Sequence, residues 1–224
     1  MWATKAGGSN NDNARGITAL ADGSALVTGD FASSTMIFDT NLILVNDVSG
    51  GGSSDIFVAK ISANGTWVWA TQTGGSGSDS AWEISALADG SAFVTGQFYS
   101  GTMTFDSTLA LAKNGNCDIF VAKIFANGTW AWATKAGGSG SDQAHGISAL
   151  TDGSAVVIGQ FTSSTLIFDN TMTLTNIGSW DIYVAKISAN GTWIWVTQAG
   201  GSNGDYDNGI FTFTDGSALV VGHL

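Results

Sequence analysis

Aspartates stand at fixed stations along this chain, and they are the residues best placed to do chemistry. Asp12, Asp79, Asp142 and Asp205 each follow a Gly-Gly pair by four or five residues, with Asp207 beside the last. Carboxylates in glycine-rich loops can offer oxygens to Ca²⁺, so these five are the candidate metal ligands. Calcium takes about six to eight oxygens, usually from several carboxylates, and each loop supplies one, or two at Asp205 and Asp207. The competing reading, an Asx turn in which the carboxylate accepts from nearby backbone, suits that spacing better. A second series, Asp39, Asp106 and Asp169, follows a phenylalanine inside a variable insertion. With Trp180 and Tyr99 it makes up the candidate ligand-binding set. A third series, Asp55, Asp118 and Asp181, opens an apolar run, and Lys60, Lys123 and Lys186 follow as candidate ion-pair partners.

The aromatic residues are as regular. Trp67/Trp69, Trp130/Trp132 and Trp193/Trp195 are pairs at i and i+2, and Trp2 stands alone near the start. In a strand such a pair shares one face, so both indoles are expected to pack between neighbouring sheets; exposed sugar platforms are the alternative. Trp180 has no aromatic counterpart in the other copies, where Ser54 and Cys117 stand, which makes it the better candidate for an exposed contact. His145 and His223 occupy non-equivalent positions, Glu83 is the single glutamate, and Cys117 the single cysteine. An intrachain disulfide is therefore excluded. Neither a nucleophile elbow nor a phosphate loop is present.

Composition narrows the partners. The formal charge is −11, and charged residues are only 11% of the 224, with Lys and Arg scattered singly. Nothing here neutralises phosphates, so nucleic acid is an unlikely partner. No apolar window is long enough to cross a membrane as a helix. A surface of Ser, Thr, Asn and Gly with little charge leads us to expect an extracellular or particle-surface protein, although no secretory leader is recognisable at Met1.

The elements that hold these residues repeat. DIFVAKISANGTWVWATQTGG (Asp55–Gly75) returns at Asp118–Gly138 and Asp181–Gly201, and its tail opens the chain as MWATKAGG. The Gly-Gly pairs begin at Gly7, Gly74, Gly137 and Gly200, spaced by 67, 63 and 63 residues. A period of that length marks a repeat protein. Each period holds an Asp-Gly and an Asn-Gly turn between β-branched and aromatic runs, the signature of two tight hairpins with two-residue loops. Within one repeat we expect strand a over 82–88, b over 91–98, c over 118–125 and d over 129–134. About twenty residues separate b from c and predict an extra short hairpin. Four meandering strands make one propeller blade. The expectation is an all-β propeller in a single domain, 1–224, with junctions near Gly8, Gly75, Gly138 and Gly201, parsed as d, abcd, abcd, abcd, ab.

The pattern W-x-W-A-T-x-x-G-G-S-x-x-D, then I-S-A-L-x-D-G-S-A-x-V-T-G-x-F, then F-D, then D-I-F-V-A-K-I-x-A-N-G-T-W resembles the bacterial beta-propeller repeat family, the SBBP-type repeats. It runs through the whole chain in about three and a half copies. The resemblance implies a propeller, mostly found in large surface or secreted proteins, and no enzymatic signature. We therefore expect a non-enzymatic scaffold or binding module, with a propeller lectin as the alternative and a hydrolase or lyase as a remote one. The d–a loops and the b–c insertions fall on one face, the tight turns on the other, so binding is expected on the variable-loop face. The incomplete last unit predicts head-to-tail self-association, through Trp2, Ala3 and Thr4 at one end and Leu219, Val220 and Val221 at the other. Two chains would close an eight-bladed ring; a single chain closing a four-bladed ring is the alternative. A glycan or a surface protein is a further candidate partner.

Overall fold

The computed structural model describes residues 1–46, 53–169 and 171–223. Residues 47–52 of the first insertion, Asn170 of the third, and Leu224 lie outside the described residues. Every regular element described is a strand. In the first blade these are β1 (Asp12–Ala19), β2 (Ala25–Phe31), β3 (Thr35–Asp39), β4 (Leu42–Val45), β5 (Asp55–Ile61) and β6 (Trp67–Thr73). The second holds β7 (Asp79–Ala86), β8 (Ala92–Phe98), β9 (Thr102–Thr104), β10 (Ala110–Ala112), β11 (Asp118–Ile124) and β12 (Trp130–Ala136). The third holds β13 (Asp142–Ala149), β14 (Ala155–Phe161), β15 (Thr165–Ile167), β16 (Thr173–Thr175), β17 (Asp181–Ile187) and β18 (Trp193–Ala199). The chain then adds β19 (Tyr206–Thr212) and β20 (Ala218–His223).

Three antiparallel four-stranded sheets run β1-β2-β5-β6, β7-β8-β11-β12 and β13-β14-β17-β18, and β19-β20 form a half-blade. These are propeller blades. The expected extra hairpins are present as β3-β4, β9-β10 and β15-β16. Packing passes along the inner strands from β1 to β7, to β13, to β19.

The third strand of each blade is the core of the junctions. Its four-residue apolar run over 56–59, repeated at 119–122 and 182–185, suits burial on both faces. Ile119 and Val121 point toward the third blade, where they pack with Tyr183 and Ala185. Phe120, Ala122 and Ile124 point back to Ile56 and Val58 of the first. Alternate side chains on opposite faces thus let one strand seal two interfaces.

Three expectations need correction. The turns are not two-residue loops. Leu20 N donates to Ser24 O and Gly23 N to Leu20 O, so the loop is Ala21-Asp22-Gly23, and the same holds at Ser62–Thr66. Only the glycines take positive φ, +80° at Gly23 and +86° at Gly65, the three-residue hairpin with its left-handed glycine. Strand a begins at Asp79 rather than Trp82, so Asp12, Asp79 and Asp142 open strands rather than sit in loops; Asp205 precedes β19. The opening d strand is not a strand: residues 1–6 join no ladder, and only Gly7 is bridged, to Ile37. A strand needs a neighbour to pair with, and here no third strand lies beside it.

Candidate functional site

On the variable-loop face the first aspartate series forms a latch. Asp142 Oδ2 accepts from Gly138 N at 2.8 Å and Ser163 Oγ at 2.6 Å, and Oδ1 from Ser163 N at 3.2 Å. Asp79 does the same with Ser100 N and Oγ and with Tyr99 N. Asp12 holds Gly8 N, Ser33 N and Ser33 Oγ. Asp205 Oδ2 accepts from Gly201 N at 2.7 Å. Asp12 and Asp142 tie the incoming loop to the start of the insertion about twenty residues on, Asp79 holds the insertion start and Asp205 the loop. Burial pushes the carboxyls of Asp79 and Asp142 up, and the serine donors pull them partly back. The oxygens meet N–H and O–H donors, the environment of an Asx-type cap rather than of a shared cation.

The Phe-Asp steps divide their labour. Asp106 Oδ1 accepts from Thr108 N, Thr108 Oγ1 and Leu109 N, which lowers its carboxyl. Asp169 repeats this with Thr171 and Met172, and Asp39 accepts from Asn41 N. These aspartates shape their own hairpin turns. The phenylalanines anchor the hairpins: Phe105 stands edge-to-face on Trp130 at 5.0 Å, Phe38 on Trp67 at 4.9 Å and Phe168 on Trp193 at 5.0 Å.

The third series pairs differently from expectation. Asp118, fully buried, accepts from Lys135 Nζ at 3.1 Å and from Asn114 N, while Asp181 accepts from Ile177 N. Lys60 and Lys186 reach turn residues Asp22 and Asp152 at 3.4 Å, and Lys123 lies over the Phe93 ring at 5.5 Å. Five residues of strand span roughly 16 Å, too far for the aspartate and lysine of one strand to meet. The Gly-Gly pair fits between one such carboxylate and the serine that partners the first series: a Cβ at Gly137 would fall 2.4 Å from Asp118 Cγ, and one at Gly138 2.5 Å from Ser163 Cβ. Tyr99 is half exposed; burial raises its hydroxyl, which bonds to Cys117. Trp180 is half-buried and bridged in parallel to Gly204, its carbonyl accepting from Asp205 N. It joins blade to half-blade rather than standing out as a platform.

The tryptophan pairs do not share a face. A bulge between Trp67 and Trp69 sets Trp69 opposite Lys60 and Trp67 opposite Ile61, and adjacent residues of β5 point to opposite faces. The same shift occurs in the other two blades. The first indole packs inward on the insertion phenylalanine. The second reaches the next blade, where Trp69 Nε1 donates to Ala126 O at 3.1 Å and Trp132 Nε1 to Ala189 O at 3.0 Å. Each of these indoles lies flat against the turn glycine, Gly128 or Gly191. Trp2 makes the same contact with Ala63 O at 2.8 Å and with Gly65. Trp195, 41% exposed, has no such socket among the described residues.

A group that sequence reasoning missed lies on the inner strands. The residue bulged out of each a–b pairing is Arg15, Trp82, His145 or Asn208. The Arg15 guanidinium lies 4.1 Å above the Trp82 ring, Trp82 meets His145 edge-to-face at 5.4 Å, and His145 Nδ1 is 2.9 Å from Asp207 Oδ1. Asp207 fills a position held by alanine in the other repeats. The signal was available: the single arginine and the single glutamate of the chain, with one of its two histidines, fall at two adjacent stations of the repeat.

No family model matches the chain. An uncharacterized WD repeat-containing protein, L264 of Acanthamoeba polyphaga mimivirus, is 26% identical over 233 residues, 89% of this chain. The chain spans only 16% of that relative's length. This likeness and the repeated blades together support a β-propeller repeat protein.

Proposed function

We propose that this chain is a non-enzymatic propeller module, built of bacterial-type repeats, that binds partners and associates head-to-tail. The observation that carries the reading is the indole socket. Trp2, Trp69 and Trp132 each fill a turn on the following blade, whereas Trp195 remains exposed beside exposed Ile194. At the opposite end the turn holding Ala63 and Gly65 is filled by the chain's own Trp2, and what stands open is an apolar hollow. Ala6, Phe38 and Ile43 line a cavity of about 940 Å³ on the outer face of the first blade. β20 is exposed along its whole length, and Leu219, Val220 and Val221 offer an unpaired apolar edge, the kind of edge that recruits another chain. Two chains placed head to tail would bring β19-β20 of one beside the Met1–Gly8 segment of the other, giving an eight-bladed ring with the insertions displayed on one face.

Light scattering after size exclusion tests this. The expected mass is twice 22.9 kDa, falling to one chain in Trp195→Ser. A parent that is monomeric at tens of micromolar overturns it. The reading includes no cofactor, since Asp12, Asp79, Asp142 and Asp205 already accept from N–H and O–H donors and Asp207 faces His145; a surface location is part of it. Added Ca²⁺ is expected to leave the ring intact.

A further inference from the structure

We infer that the inner row Arg15–Trp82–His145 is a binding site for a carboxylate-bearing small molecule. The inference does not depend on self-association. In a repeat protein the invariant stations build the scaffold, and a site that binds one ligand must break the repeat. This row breaks it with a different residue in every copy, Arg15, Trp82, His145 and Asn208, among them the single arginine of the chain and one of its two histidines.

The row is held from behind. Arg15 Nε is paired to Asp30 Oδ1, and Asp30 Oδ2 accepts from Asn13 Nδ2 at 3.0 Å, so both oxygens of that buried carboxylate are spent. His145 Nδ1 is fixed by Asp207, whose side chain is fully buried. Glu83 Oε1 accepts from Ile84 N. What remains reachable is the donor fork of Arg15 and the second ring nitrogen of His145, which accepts when Nδ1 donates to Asp207. The Arg15 Nη groups and His145 Nε2 meet no partner among the described residues, and both side chains are about a quarter exposed. Trp82 Nε1 in the row and Asp207 Oδ2 beside it are also without partners; the indole N–H is left for an acceptor, and the carboxylate oxygen for a guest hydroxyl or an ordered water.

Arginine held flat on an aromatic ring keeps its fork of N–H groups in one plane, which matches a planar carboxylate. Charge selects among anions. With Asp30, Glu83 and Asp207 close by and a chain charge of −11, a single negative charge is tolerated better than a phosphate dianion. A monocarboxylate with further hydroxyl or carbonyl oxygens, such as a sugar acid, would meet Arg15 at one end and His145 at the other.

The test is two-dimensional NMR of the full chain, in which the indole N–H of Trp82 is assigned by its loss in Trp82→Phe. Glucuronate is the probe, with glucose and phosphate in parallel. We expect a saturable shift of the Trp82 indole signal with glucuronate, a weaker response to glucose or phosphate, and at least a tenfold weaker affinity in Arg15→Gln. Arg15→Lys should recover part of it. No shift up to tens of millimolar, an equal response to phosphate, or an unchanged affinity in Arg15→Gln would each overturn the assignment. Should Arg15→Gln fail to fold, His145→Gln supplies the comparison, and an unchanged affinity there counts equally against the site.

Discussion

Single residues in this chain do their work by meeting partners about one blade away. Gly128 shows the scale of the effect. Its φ of +85° is left-handed, and an added Cβ would lie 2.9 Å from the Trp69 ring. Gly128→Ala should therefore cost on the order of 1–3 kcal/mol, from backbone strain and loss of the indole contact together, measurable by urea unfolding. The aspartates divide by sign. Asp89 Oδ1 accepts from Ser91 N and Oγ, which holds its carboxyl below the usual value. Its contribution is present above the unfolded value and is lost as pH falls through the folded one. Asp142 is pushed up by burial and by the nearby Asp118, so its contribution is fullest at low pH and is lost as pH rises through the raised value. The melting temperature of the parent relative to Asp89→Asn should thus shrink as pH drops from about 6 toward about 3, whereas relative to Asp142→Asn it should grow. Equal trends in the two variants would refute the assignment. The aspartate stations were legible from their spacing. Their serine partners were not, because Asp142 and Ser163 are brought together by the register of β13 on β14, which no local pattern encodes.

At the level of elements, the hairpin inserted between the second and third strands locks the junction. Its outer strand lies along the last strand of its own blade, where Gln72 exchanges hydrogen bonds with the backbone of Val45 at 2.6 and 3.0 Å. Its first strand bridges back to the glycine that ends the preceding blade, as Gly74 does with Thr104. The buried phenylalanine is the pin. Phe105→Ala removes the edge-to-face contacts with Trp130 and Phe120 and should cost about 3–5 kcal/mol by denaturant unfolding, with the neighbouring Asp106→Ala costing far less. Strand existence was readable from turn residues and apolar runs, and the hairpin from its alternating sequence. The bulge that turns one indole to each face was not. Trp-x-Trp looks the same whether or not one residue is squeezed out of the ladder, and only the offset against Lys60 and Ile61 reveals it.

For the molecule as a whole, the repeat period foretold the number of blades, and the structure adds how one blade grips the next. Three contacts recur at the two junctions between whole blades: apolar faces of the third strands, an indole laid on a turn glycine, and inner-strand hydroxyl bonds such as Ala149 N to Ser85 Oγ at 3.0 Å. The last recurs between Ser148 and Thr212, so the half-blade keeps the inner-strand contact of a whole one. Ile17 on the first inner strand is 68% exposed, as the end of such a stack must be. Electron microscopy of the purified chain asks the central question directly. The account predicts closed rings of eight lobes made of two chains. Open four-lobed arcs, or compact particles of one chain in which β20 meets β1, would contradict it.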